Sequence, residues 1–260
     1  MTFNPRSMFY IFDDPIEYKG LKLYPVKMRD YFIFHTVAEC LMLEKNSIRD
    51  PIEAMKAIQM TYLEYMFHVD EDKRLIGLFV GLIALVTGNK DNQSFEIYYG
   101  KGEDNRPFFR IGDKIFNSQD FDNLREIISE QNMIDLPDET IQKDVREKME
   151  EARRFKERIN KSKVASLEDQ MVAISLYSGL EMDKIYDMTI RKFFLSVRRA
   201  NHMIMSNIYL TASMSGMVTF KDKSVLKGWL ADLEETDKYA DVTMSLDSIR
   251  NKVSGADAKN

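Results

Sequence analysis

The feature that most constrains this chain is one uninterrupted apolar run, Leu75–Thr87, with sequence LIGLFVGLIALVT. Lys73-Arg74 precede it and Gly88-Asn89-Lys90 follow it. Thirteen residues are too few for a membrane span, which needs about 20. A helix that is apolar on every side must instead be covered on every side by protein. The run therefore predicts a buried central helix with other elements packed around it.

The rest of the 260-residue chain has the material to cover it, with 44% of residues hydrophobic and 30% charged. That balance excludes a mainly disordered chain. Eleven glycines and six prolines exclude collagen-like and low-complexity classes and disfavour turn-rich all-β folds. The net charge is −5. Residues 1–15 lack the basic start, clean apolar stretch and small-residue cleavage site of a signal peptide. With one cysteine, Cys40, an internal disulfide is impossible, and a reducing cytoplasmic setting is expected.

Periodicity supplies the elements. Ile16–Tyr24 alternates across Lys19-Gly20, predicting a short strand or hairpin that Pro25 ends. A helix is expected from Val26 to about Lys45. Asp50-Pro51 then opens a second helix to about Phe67, and Asp70-Glu71-Asp72 opens the third, which contains the apolar run. Ser94–Gly100, Pro107–Ile111 and Lys114–Phe116 are the one strong β-signal, with Gly112-Asp113 as a tight turn. Asn117-Ser118 then caps a helix to Asn132, and Leu136-Pro137-Asp138 is expected to start the next.

Residues 143–163 hold nine basic and five acidic residues on a narrow apolar stripe, which reads as a solvated helix. Ser166-Leu167-Glu168-Asp169 resembles a capping box for a helix ended by Gly179. A long helical pattern runs from Met182 to Ser215, with a break near Asp187–Thr189 where Thr189 would cap a second helix. Residues 224–233 can form a further helical segment carrying Trp229. The expected fold is mainly α with a small three-strand β insert (α+β), helical-bundle halves flanking the β unit. The expected organisation is a strand-plus-helix region 1–90, a small β-β-β-α unit 91–135, a long-helix region 136–250 and a flexible tail 251–260.

Catalytic and metal chemistry find little support. Gly77 and Gly81 lie inside the apolar helix and Gly100 and Gly102 in a charged loop, so no phosphate-binding loop precedes a helix. His35 and Cys40 are five residues apart and do not share a helix face well. His68, Asp70 and Asp72 form an H-x-D-x-D string better explained by one helix ending and another beginning. Cys40 sits among apolar neighbours, as a buried inert thiol would. The carboxylate pairs Asp13-Asp14 and Glu234-Glu235 read as exposed and polar. No catalytic residue, metal site or cofactor is expected, and the chain reads as a non-enzyme.

Two surfaces remain. The basic segment 143–163, with residues 191–199 including Arg198-Arg199, could contact phosphates, the alternative being a cytoplasmic nucleic-acid-binding regulator. Interspersed glutamates and the lack of a recognition-helix motif count against it. Methionine is the informative excess, 17 of 260 residues. Met203, Met205, Met214 and Met217 cluster with small residues near Trp229, a composition that suits a surface accepting apolar protein partners.

Three stretches carry a resemblance. The first is Leu21–Val26 leading into Met28-Arg29-Asp30-Tyr31. The second is Ile111–Phe116 followed by Phe121–Ile128 and Gln131-Asn132. The third is Ser166–Asp169 through Gly179-Leu180, then the long helix, Gly216 and Trp229. Together they resemble the helical tail-assembly and baseplate-hub assembly proteins of tailed bacteriophages infecting Gram-positive hosts. The resemblance implies a chaperone or minor structural subunit of tail morphogenesis. Such a protein binds tape-measure, hub or baseplate proteins or its own copies, in the host cytoplasm during assembly or in the virion tail. No functional residue carries over from it.

Overall fold

A computed structural model of the protein describes residues 7–48, 50–88, 95–98, 106–139, 143–159, 165–216, 218–220 and 228–230. The fold is mainly α, with one two-stranded and one three-stranded antiparallel sheet. Chain contacts divide it into two units, Met1–Glu139 with Leu167–His202, and Thr140–Ser166 with Met203–Asn260.

In the first unit a short helix α1 (Ser7–Phe12) precedes the hairpin β1 (Ile16–Tyr18) and β2 (Leu21–Leu23), paired Ile16 to Leu23 and Tyr18 to Leu21. Lys19 and Gly20 both take positive φ, 48° and 77°, the twist that suits a two-residue hairpin turn. The expected helix 26–45 is shorter than its periodicity suggests. α2 (Tyr31–Val37) gives way to a tighter 3-10 turn at Ala38–Leu41, which buries Ala38, Cys40 and Leu41.

The helix expected from Pro51 to Phe67 is two helices, α3 (Pro51–Gln59) and α4 (Tyr62–Val69). Asp50 caps the first by accepting from the Ile52 and Glu53 amides. Met60 is extended, and Thr61 and Glu64 close a reciprocal capping box on the second. Continuous apolar spacing hid that T-x-x-E signal. α5 (Arg74–Val86) is the apolar run, starting later than its acidic lead suggested. Lys73 takes a left-handed φ of 55°, and the Asp70 carboxylate reaches forward to accept from the Ile76 amide at 2.9 Å.

Phe79, Leu82, Ile83 and Val86 of α5 are buried. Phe79 meets Phe109 and Phe121 edge-on, with ring centroids 5.3 and 4.8 Å away, and Phe109 stacks on Phe116 at 5.1 Å. Those partners come from β4 (Phe108–Ile111), β5 (Lys114–Phe116) and α6 (Ser118–Asn132); β4 also pairs with β3 (Phe95–Tyr98). The Gly112-Asp113 turn places Phe109 opposite Phe116.

α6 is the organising helix. Asn117 and Asp120 form its capping box. Asp120 also accepts from the Tyr18 hydroxyl at 2.7 Å and the Lys19 ammonium at 2.7 Å, fixing the hairpin to the helix start. At the other end Gln131 donates to the Leu23 carbonyl and Asn132 accepts from the Val26 amide, 3.0 and 2.9 Å. Burial pushes the Asp120 carboxyl up, but the bonds from Lys19, Tyr18 and the Asn117 amide together hold it below its usual value of 3.8. A group depressed in the folded state adds stability above its unfolded pKa, and that contribution is lost as pH falls through the folded value. Asp120→Asn is therefore expected to cost roughly 1–3 kcal/mol at neutral pH. The gap from wild type should narrow as pH falls below the usual carboxylate value of 3.8, as read from urea midpoints at neutral and acid pH.

The helix expected at Leu136-Pro137-Asp138 does not form there; α7 (Lys143–Ile159), in the second unit, starts later. Glu139 is recruited elsewhere. Its carboxylate accepts from the Lys45 amide at 3.0 Å and its carbonyl from the Asn46 side chain at 3.3 Å.

α8 (Leu167–Ser178) ends at Gly179, whose φ is 71°. α9 (Met182–Asp187) and α10 (Ile190–Met214) are separated at Met188-Thr189, the expected break. The Thr189 hydroxyl accepts from the Lys192 amide at 3.3 Å, so Thr189 caps α10 as its sequence position predicts. Here the late chain returns to the early one. The Met28 amide donates to the Met188 carbonyl and the Ile190 amide to the Val26 carbonyl, 2.8 and 2.9 Å. Asp13 accepts from Lys192 at 2.6 Å and from the Thr189 hydroxyl at 3.1 Å. Asp13 is therefore a structural anchor, in place of the exposed carboxylate expected from sequence.

Candidate interaction surfaces

Among the described residues no group of three or more His, Cys, Asp or Glu side chains is placed to hold a metal ion. His68 lies 3.7 Å from Glu53 in an ion-pair arrangement, on α4. Cys40 is fully buried, and desolvation pushes its thiol far above the ordinary range, leaving an inert group. Among the described residues no helix is long and apolar enough to cross a membrane. Gly100, Gly102, Glu234 and Glu235 lie outside the described residues.

The segment 143–163 is helical over Lys143–Ile159, and residues 160–164 lie outside the described set. Lys148 and Arg154 are exposed, but so are Asp144, Glu147 and Glu151. Arg154 also pairs with Glu150 at 3.7 Å one turn away. Of residues 191–199, Arg191 donates to the Glu130 carbonyl and lies over the Tyr10 ring, while Lys192 is held by Asp13. Both cations are occupied inside the first unit.

The methionines occupy different settings. Met203 and Met205 are half-buried on α10, whereas Met214 is exposed. At about 100° per residue, Met203 and Met214 lie about 20° apart around the helix and Met205 about 200° from Met203. Met217 lies outside the described residues. Trp229 is half-exposed in a turn with exposed Leu230, and most of the helical segment expected at 224–233 lies outside the described residues.

Sequence reasoning singled out methionine and passed over the isoleucines of the same helix. Ile204 and Ile208, four residues apart, are 44% and 53% exposed, and Met214 is 85% exposed. Exposed Asn201, Asn207 and Thr211 surround them. The signal was an i, i+4 isoleucine pair set among asparagines. Within the same unit Tyr209 meets Phe220 edge-on at 5.6 Å, bringing residues 218–220 back onto α10.

Against this geometry, residues 159–234 match a family described as the YomV second domain. That is a phage-derived family, and the match is compatible with a phage protein. It spans under a third of the chain and takes in α8, α9, α10, Gly216 and Trp229. The third of the three stretches of phage resemblance falls wholly inside it; the first two lie outside. Neither a curated protein nor a solved structure matches the chain.

Proposed function

We propose that this chain is a bacteriophage morphogenesis protein that binds other tail or baseplate proteins, as an assembly chaperone or minor structural subunit, without catalysing a reaction. The observation that carries the reading is the exposed apolar face Ile204, Ile208 and Met214, which lies inside the segment matching a phage-derived family. Exposed side chains of this size contribute to binding when a partner removes them from water, about 25 cal/mol per Å² of apolar surface. The long-helix resemblance supports the same assignment and names the partners: tape-measure, hub or baseplate proteins, met in the host cytoplasm or in the virion tail.

The test is co-expression with each tail protein encoded by the same phage, followed by size exclusion. One partner is expected to co-elute. Ile204→Ser combined with Ile208→Ser is expected to weaken that complex by about tenfold or more, while the melting temperature stays near that of the parent. Failure to co-elute with every tail protein would sink the proposal.

A further inference from the structure

Sequence and local structure part company at the start of α7. Asp138 is a preferred N-cap type with Pro137 just ahead of it, and the next four residues, Glu139-Thr140-Ile141-Gln142, contain neither Gly nor Pro. Ile141 stands four positions before Val145 and eight before Met149, so the apolar spacing of α7 continues back to it. A helix capped by Asp138 would run from Glu139. The observed α7 begins at Lys143, and residues 134–138 have no regular structure.

Glu139 shows what opposes the longer helix. Its carboxylate accepts from the Lys45 amide at 3.0 Å and from the Tyr62 hydroxyl. Its carbonyl accepts from the Asn46 side-chain amide at 3.3 Å. In an α-helix the carbonyl of residue 139 is the acceptor for the amide of residue 143. Asn46 thus occupies the atom on which a longer helix would close its first added bond. The Glu139 charge also favours the buried Lys45 ammonium, as do the carboxylates of Asp122 and Glu64. Leu136 is packed against the core, so the chain is anchored just ahead of the start signal.

The two arrangements compete closely. Lengthening an existing helix needs no new nucleus. One added turn would give acceptors to the amides of Lys143, Asp144, Val145 and Arg146, the first four of α7, which have none within the helix. Against that gain stand the bonds that Glu139 makes to Lys45, Tyr62 and Asn46. A strong local preference overruled by one tertiary contact is the arrangement from which a two-state element is built.

We propose that Glu139 is a latch on the length of α7. Engaged with Lys45, Asn46 and Tyr62, it holds the helix start at Lys143; released, it lets α7 gain about one turn, Glu139–Gln142. The state of the buried Lys45 site is thereby read out at the start of the basic helix. The device involves neither α10 nor a tail partner.

The test is amide hydrogen exchange on the full chain, read by NMR as protection at Lys143, Asp144, Val145 and Arg146. Glu139→Ala combined with Asn46→Ala is expected to raise protection there about threefold or more. Asn46→Ala alone, which keeps the carboxylate bonds, should raise it less, and it decides the matter if the double variant does not fold. Lys143→Pro separates the two helix lengths. Proline fits the observed first helical position, but in the longer helix it would remove the bond to the residue 139 carbonyl and clash with it. Lys143→Pro by itself is therefore expected to leave protection at Asp144–Arg146 within about twofold, and to cancel the gain when added to the double variant. Unchanged or lower protection in Asn46→Ala and in the double variant overturns the proposal, since Glu139 would then tether a segment with no helical alternative. Loss of protection on Lys143→Pro alone overturns it too, because α7 would already run through that residue.

Discussion

Arg125→Met is expected to destabilise the first unit by about 3–5 kcal/mol, the cost of breaking a buried charge cluster from one side. The Arg125 guanidinium is buried on α6, donates to the Leu41 carbonyl at 2.7 Å and the Leu43 carbonyl at 3.3 Å, and lies 3.7 Å from the centre of the Tyr62 ring. Asp122, one turn earlier, accepts from the Tyr62 amide at 2.9 Å. Burial raises the Asp122 carboxyl above its usual value despite that bond and the nearby cations. Methionine would fill much of the space but leave two carbonyls without donors and the neighbouring carboxylates short of a cation.

Lys45 provides the contrast. Its ammonium donates to the Met60 carbonyl at 2.6 Å and also lies over Tyr62, at 4.0 Å. Desolvation lowers its pKa, so the fold penalises this charge. Lys45→Met removes that penalty together with the bond and is expected to cost about 1 kcal/mol or less. Urea midpoints of the two variants decide the matter. Equal shifts would mean that the cluster does not depend on the guanidinium's two carbonyl bonds.

Phe79→Ala is expected to cost a comparable amount, about 3–5 kcal/mol. The ring joins α5 to β4 and α6 through Phe109 and Phe121, and it is fully buried. Its loss leaves a cavity that three different elements would have to move to close. Phe79→Leu retains most of the volume and should cost about 1–2 kcal/mol, losing chiefly the edge-on ring contacts. Guanidinium denaturation provides the check; a Phe79→Ala midpoint within error of Phe79→Leu would show that the core collapses around the gap. Arg125→Met and Phe79→Ala each remove a large fraction of the stability of an ordinary domain, about 5–15 kcal/mol.

How much of this was legible follows from the range of each signal. The apolar run predicted a buried core helix covered on every side; α5 buries Phe79, Leu82, Ile83 and Val86 but leaves Val80 exposed, so the covering is one-sided. Asn117, Thr189 and Gly179 were readable because capping and left-handed residues act within four positions of themselves. Thr61 and Glu64 use the same local chemistry, yet an apolar period continuing across Met60 masked the break. Leu136–Asp138 misled for the opposite reason. Its local start signal was sound, but Glu139 is drawn into the Lys45 site, 94 residues away in sequence.

The surfaces were less legible. Periodicity shows that a helix has an apolar face but not whether another element covers it, so nothing in the sequence marks Ile52, Met55 and Ile58 as exposed. The methionines stood out by their number, whereas Ile204 and Ile208 merged into the ordinary pattern of a long helix. Lys73 and Arg106 are far apart in the chain and share a cleft only because α5 and β4 are neighbours in the fold.

The return of residues 188–193 to residues 13–28 sets a timetable for synthesis. The first unit is discontinuous, and its seal, from Met28 to Met188 and from Asp13 to Lys192, joins positions 160 and 179 residues apart. A ribosome adding about 5–20 residues per second needs roughly 10–35 s between making Asp13 and making Lys192. Throughout that interval the emerging hairpin and α2 lack the strap that α9 and α10 provide. A nascent chain of this protein thus holds an unfinished core until Lys192 has been translated.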